Sequence, residues 1–133
     1  MVQATNSTTL SSATQAIQDC GAGVDNLTGG LGADVFKLNT TTESLVGLLH
    51  DAILDFSSLD GDKIDLSVID AQTNIAGNQA FIGLVNTFSN QSGQLMFDSA
   101  THSVFGDING DGIADFQIEL LGVNTLSDTD FVL

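Results

Sequence analysis

The sequence predicts a mainly β protein: a short parallel β-roll remnant followed by an antiparallel, β-sandwich-like C-terminal cap. Three observations carry this. Residues 20–28 and 29–37 are two tandem nine-residue units in which glycines, an aspartate and an apolar residue recur at fixed places. Beyond Gly93, apolar and polar residues alternate with the period of two expected of half-buried strands. Asp60-Gly61 stands between these segments, and Asn109-Gly110 and Asp111-Gly112 within the second, pairs typical of tight turns.

Residues 1–19 are rich in Thr, Ser, Gln and Ala. Leu10, Ala13, Thr14 and Ile17 fall at helical spacing, so this stretch reads either as a short helix over about 9–18 or as a frayed lead-in. The repeat units follow as short strands and turns. Glu43, Leu45, Leu48 and Leu49 suggest a short helix over Thr42 to His50. Ala52, Leu54 and Phe56 suggest a strand, Asp60-Gly61 a turn, and Lys63 to Val68 the return strand. Gln94 to Asp98 and Ser103 to Gly106 read as a hairpin. Phe116, Ile118 and Leu120 mark a further strand, and Thr125 to Asp130 one turn of helix before the last apolar residues. By organisation this gives a lead-in (1–19) and one unit (20–133) holding the repeat pair and the cap.

The chain has 133 residues, 42% of them hydrophobic, with eight Phe and no Trp, Tyr or Pro. A single domain of this length buries roughly two-thirds of its unfolded surface. Seventeen acidic residues face two basic ones, Lys37 and Lys63, for a net charge of −15. Such self-repulsion opposes compaction, and a divalent cation would relieve it. The same charge argues against nucleic acid and anionic membrane surfaces as partners, because no basic patch exists to meet phosphates. One cysteine, Cys20, excludes an internal disulfide. No apolar run is long enough to span a membrane, and the N-terminus lacks the pattern of a cleaved signal peptide.

In the two units the glycines meet at the second and fourth places (Gly21, Gly30; Gly23, Gly32), the aspartates at the sixth (Asp25, Asp34) and the apolar residues at the eighth (Leu27, Phe36). This is the Gly-Gly-x-Gly-x-Asp-x-apolar-x repeat of calcium-binding parallel β-rolls. Glycine allows backbone conformations that bare carbonyl oxygens, aspartate offers the hard anionic oxygen that Ca²⁺ prefers, and the eighth residue turns inward. Further on stand Asp51-Ala-Ile-Leu-Asp-Phe56, Asp60-Gly-Asp-Lys-Ile-Asp-Leu-Ser67, Phe81-Ile-Gly83, Gly93-Gln-Leu95, the run from Gly106 to Phe116, and Asp130-Phe-Val-Leu133. In this order these motifs resemble the RTX (repeats-in-toxin, hemolysin-type calcium-binding repeat) family. They are most similar to the C-terminal end of serralysin-type secreted metalloproteases and of related lipases and mannuronan epimerases. The resemblance covers about residues 20–133. It departs from the family at Cys20, which stands in place of glycine, and in having two repeats, which gives one glycine loop and half a cage on each side of the roll.

The resemblance implies Ca²⁺ as cofactor, with Gly21, Gly23, Asp25, Gly30, Gly32 and Asp34 as the repeat ligands. It also implies export without an N-terminal signal peptide, to the cell exterior, by an ABC-type (type I) secretion machinery. The tail Asp130, Phe131, Val132 and Leu133 is similar to the family's export signal; as residues alone it reads equally as a final strand. The remainder of an RTX roll is the implied neighbour.

Asp107, Asn109, Asp111 and Asp115 place oxygen ligands at positions 1, 3, 5 and 9 of an EF-hand-like loop, with Gly112 near the sharp turn. Position twelve is Ile118, so the bidentate glutamate is missing. The alternative is an Asn-Gly/Asp-Gly turn with solvated acids. Asp60, Asp62 and Asp65 read as turn and surface acids rather than ligands. Cys20 reads as a small buried side chain. His50 and His102 are isolated, no zinc-protease helix or nucleophile elbow is present, and no carboxylate pair is marked as acid and base. The chain therefore reads as non-catalytic: a calcium-binding module that caps and nucleates a β-roll. The alternatives are an adhesion or carbohydrate-binding module and an accessory fragment of a secreted protease, lipase or epimerase; the missing Trp and Tyr count against sugar stacking.

Overall fold

The structure is a computed structural model. It describes residues 7–9, 17–19, 23–30, 32–47 and 49–133, with 7–9 and 17–19 described by their backbone alone. Six short strands alternate between two sheets. β1 (Ser7–Thr9), β3 (Asn26–Thr28) and β5 (Asp51–Ile53) lie side by side in one, and β2 (Ile17–Asp19), β4 (Val35–Lys37) and β6 (Lys63–Asp65) in the other. Every neighbouring pair is parallel. The chain therefore winds as a roll, and the nine-residue period explains the three-residue strands: each unit spends the rest of its length turning into the opposite sheet.

The eighth residue of each unit points inward as expected. Leu27 and Phe36 are fully buried, and each stands in register with its counterpart one turn later, Leu27 with Ile53 and Phe36 with Ile64. Burial of each such side chain contributes about 2 kcal/mol. Phe36 also packs against Phe56, with ring centroids 6.4 Å apart.

The cap grows from the edges of both roll sheets. β10 (Phe116–Leu120) adds to β5 in parallel, and β9 (Ser103–Asp107), β8 (Gln94–Asp98) and β7 (Gly83–Val85) extend the sheet outward to seven strands. The 94–98/103–107 hairpin forms as the alternation predicts, antiparallel from Gln94↔Asp107 to Asp98↔Ser103. A 3-10 turn (Asp128–Asp130) leads into β11 (Phe131–Val132), which closes the four-stranded sheet by pairing with β6. Leu95, Val104, Phe116, Ile118 and Leu120 join the roll residues in one hydrophobic core.

Three local expectations need correction. The helix over about 9–18 is interrupted at both ends by strands at Thr9 and Ile17–Asp19; parallel pairing with β3 and β4 outweighs the weak helical spacing, and residues 10–16 lie outside the described ones. The helix over Thr42 to His50 is reduced to a 3-10 turn at Thr41–Glu43. Gly47 adopts φ +90°, and Ser44 is drawn into the interior while Leu45 and Leu49 face outward. Finally, β6 does not return beside β5. It crosses to the opposite sheet, because the segment is another turn of the roll rather than a hairpin.

Candidate metal centre

The loop entering β3 holds Gly23 at φ +99°, and the unit's aspartate closes it. Asp25 is fully buried, as is Asp51, which stands one turn further along the roll. The Asp25 N–H donates to Asp51 Oδ1 at 2.8 Å, and the Ala52 N–H returns to the Asp25 carbonyl at 2.9 Å. Glu43, also buried, lies near enough for its charge to act on both, while its Oε1 accepts the Asn39 N–H at 2.9 Å. Both carboxylate oxygens of Asp25 and Oδ2 of Asp51 are buried with no hydrogen-bond partner among the described residues.

Buried anionic oxygens without partners are costly. Two things relieve them: a proton or a cation. Burial pushes the Asp51 carboxyl up to about 7, with the charges of Asp25 and Glu43 adding to the rise; the Asp25 N–H and His50 pull the other way. Asp25 is raised as well, by burial first and by Glu43 second. Hard, oxygen-only donors of this kind fit Ca²⁺ and do not suit thiophilic metals. The donor set therefore fits the cation that the repeat motif implies.

On the other side of the roll the pattern recurs. Gly30 and Gly32 adopt φ +83° and +90°. The Asp34 N–H donates to Asp62 Oδ1 at 2.8 Å, and the Ser57 N–H to Asp62 Oδ2 at 2.9 Å. Asp55 accepts the Gly29 and Gly30 N–H groups, one on each oxygen, at 2.9 and 2.8 Å. A Cβ at Gly29 would lie 2.5 Å from Asp34 Oδ2, so the Asp34 carboxylate occupies the space that only glycine leaves. Burial raises Asp62, with Asp34 and Asp55 adding to it. The backbone consumes more carboxylate oxygen here than at Asp25.

Asp107, Asp111 and Asp115 bring one carboxylate oxygen each to within 4.8 Å of one another. The loop also holds itself. Asp107 is fully buried and accepts the Asn109, Gly110 and Gly112 N–H groups at 3.2, 2.8 and 2.8 Å. Asp115 accepts from Ile108 at 2.8 Å, while the Asn109 side chain accepts the Asp111 N–H at 3.1 Å and so turns into its own loop. Asp115 is raised, first by burial and then by Asp111 and Asp107. Ile118, at the glutamate position of an EF-hand, is a core residue of β10.

Gly21 and Cys20 lie outside the described residues; Gly23, Gly30 and Gly32 adopt positive φ in the turns, and Asp25 and Asp34 are buried beside them. Asp62 is a correction, being buried rather than a surface acid. It accepts the Asp34 N–H as Asp51 accepts that of Asp25, so each glycine loop ends beside an acid of the next turn. The signal was present: Asp51-Ala-Ile53 and Asp62-Lys-Ile64 keep the Asp-x-apolar end of the repeat without its pair of glycines. Glu43 carried no such mark. In the tail, Asp130 is buried and accepts the Ser127 N–H at 2.9 Å, and Phe131–Val132 form the expected final strand.

The family model described as the peptidase M10 serralysin C terminal matches residues 6–133. Among solved structures, the chain is similar to the AlgE6R2 subunit of the Azotobacter vinelandii mannuronan C5-epimerase, with 26% identity and a TM-score of 0.58, over 88% of this chain and 70% of that one. It shares its fold with the AlgE6R3 subunit of the same enzyme, at 24% identity and a TM-score of 0.51, over 98% of this chain and 76% of the other. No curated protein sequence gives a significant match.

Proposed function

This chain belongs to the peptidase M10 serralysin C-terminal family, and on that premise we propose that it is the non-catalytic, calcium-binding C-terminal module of a secreted protein. In this reading it caps a β-roll and nucleates its folding, and Asp130–Leu133 carry the signal for a type I export channel. The observation that supports it best is the pair Asp25 and Asp51: two fully buried acids on successive turns, with three oxygens unpartnered among the described residues.

Asp25 and Asp51 would hold one cation, and Asp34 and Asp62 one on the opposite side of the roll. Asp107, Asp111 and Asp115 supply a third set on the cap. A bound Ca²⁺ supplies positive charge that ionised carboxylates can share. Gly23, Gly30 and Gly32 hold the loops open beside the acids, and the inward Leu27, Phe36, Ile53 and Ile64 keep successive turns in register. Because the two roll sites exist only when the turns are stacked, binding free energy there adds to folding free energy. Where calcium is scarce, charge repulsion keeps the chain loose and fit for threading. Where it is millimolar, sites of about 10⁻⁴–10⁻³ M affinity fill.

Titration calorimetry tests the ion: saturable calcium binding that is weakened in Asp25→Asn supports the reading, and no heat of binding rejects it. Secretion of the full chain by cells carrying a type I exporter tests the tail. Removal of residues 130–133 is expected to abolish export, and undiminished export removes that assignment.

A further inference from the structure

The loop between β4 and β5 does more than carry Glu43. Ser44, fully buried, stands between the roll and the cap. Its hydroxyl accepts the Asp51 N–H at 2.8 Å and donates to the Gln117 carbonyl on β10. Its own carbonyl accepts the Gln117 N–H at 3.1 Å. Gln117, also buried, accepts the Gly47 N–H on Oε1 at 3.1 Å and donates from Nε2 to Ser103 Oγ on β9 at 2.9 Å. With the Asp25 N–H on the Asp51 carboxylate, these bonds run unbroken from the acidic group of the roll to the second strand of the cap hairpin.

We infer that Ser44 is a positioning residue through which cation occupancy of the Asp25–Asp51 group controls assembly of the cap sheet. Resting on the calcium reading above, it concerns strands that contribute no ligand to that group. A cation on Asp25 and Asp51 fixes the β5 end of the segment 43–51, where the Asp51 N–H holds the Ser44 hydroxyl. Ser44 then presents its hydroxyl and carbonyl as the template against which β10 docks, and β9 follows through Ser103. Since coupling of this kind is reciprocal, a docked cap also strengthens binding at the roll. Ser44 is suited to the task because one hydroxyl donates and accepts at once, in an interior where an unmatched partner is costly.

The test follows amide hydrogen exchange of the full chain across a calcium chloride titration. In the unsubstituted chain, peptides covering 26–28 and 51–53 and those covering 94–98, 103–107 and 116–120 are expected to gain protection at one shared midpoint. In Ser44→Ala the cap's midpoint moves to about tenfold more calcium than the roll's, the scale of one buried hydrogen bond. Ser44→Thr, which keeps the hydroxyl, brings the two midpoints back together. Gln117→Leu, which leaves the Asp51–Ser44 bond in place, separates them in the same direction. Midpoints that stay together in both Ser44→Ala and Gln117→Leu, wherever they move, overturn the coupling. So does an unsubstituted cap that is already protected in chelator while the roll is not. A chain showing no calcium response in any peptide instead overturns the calcium reading itself.

Discussion

The backbone N–H of Asp25 points at the carboxylate of Asp51, 2.8 Å away and one full turn along the roll. The contact joins a residue inside a recognisable glycine repeat to one outside it. It also leaves Asp51 with one buried oxygen unmatched and Asp25 with two. A metal-free chain must accommodate that charge by protonation or by loosening the turn.

Stability of the metal-free chain should therefore fall as pH rises. The folded Asp51 carboxyl lies at about 7 against an ordinary 3.8. Folding thus favours its protonated form, and its contribution is fully present below the ordinary value and lost as pH climbs through the folded one. Asp25, Asp62 and Asp115 are shifted in the same direction. Urea denaturation in chelator between pH 4 and pH 8 should show declining stability, with a shallower decline in Asp51→Asn. A stability that rises with pH over this range would contradict the placement of these acids.

Gly106 should not tolerate a side chain. It faces Phe116 across the β9–β10 pair, and a Cβ there would lie 2.2 Å from the ring edge. Phe116 has nowhere to move, being fully buried and set edge-on against Phe81 at 5.9 Å. Gly106→Ala is expected to destabilise the chain by about 2 kcal/mol, read from the denaturation midpoint with calcium present.

Phe131 should matter to stability independently of any role in export. It sits in register with Ile64 at the end of the four-stranded sheet and is buried. Phe131→Ala is expected to cost about 3 kcal/mol. A near-neutral effect would mean that β11 is not anchored in solution.

Much of this was legible in the residues, for a physical reason. The repeat is a local rule, so Leu27, Phe36 and the glycine turns follow from spacing alone, and the alternation after Gly93 gives the β8–β9 hairpin and β10. What the sequence concealed is pairing at a distance. Asp51 and Asp62 are acids in segments that lack the pair of glycines at the repeat's second and fourth places, and only the return of the chain one turn later brings them to Asp25 and Asp34. Ser44 and Gln117, 73 positions apart, show no pattern at all before the cap docks. The strands at 7–9 and 17–19 were obscured because a three-residue strand is too short to display a period. The segment 42–50 misled because its leucines are spaced for a helix but serve a loop that must bury Glu43 and Ser44.

The central claim is that calcium and folding are one event for this acidic roll. The most direct measurement is the thermal melt followed by circular dichroism, with chelator and again with ~5 mM calcium chloride. Coupled binding predicts a loosened spectrum and low melting temperature in chelator, and a β spectrum with a markedly higher melting temperature in calcium. Identical spectra and melting temperatures under the two conditions would contradict it.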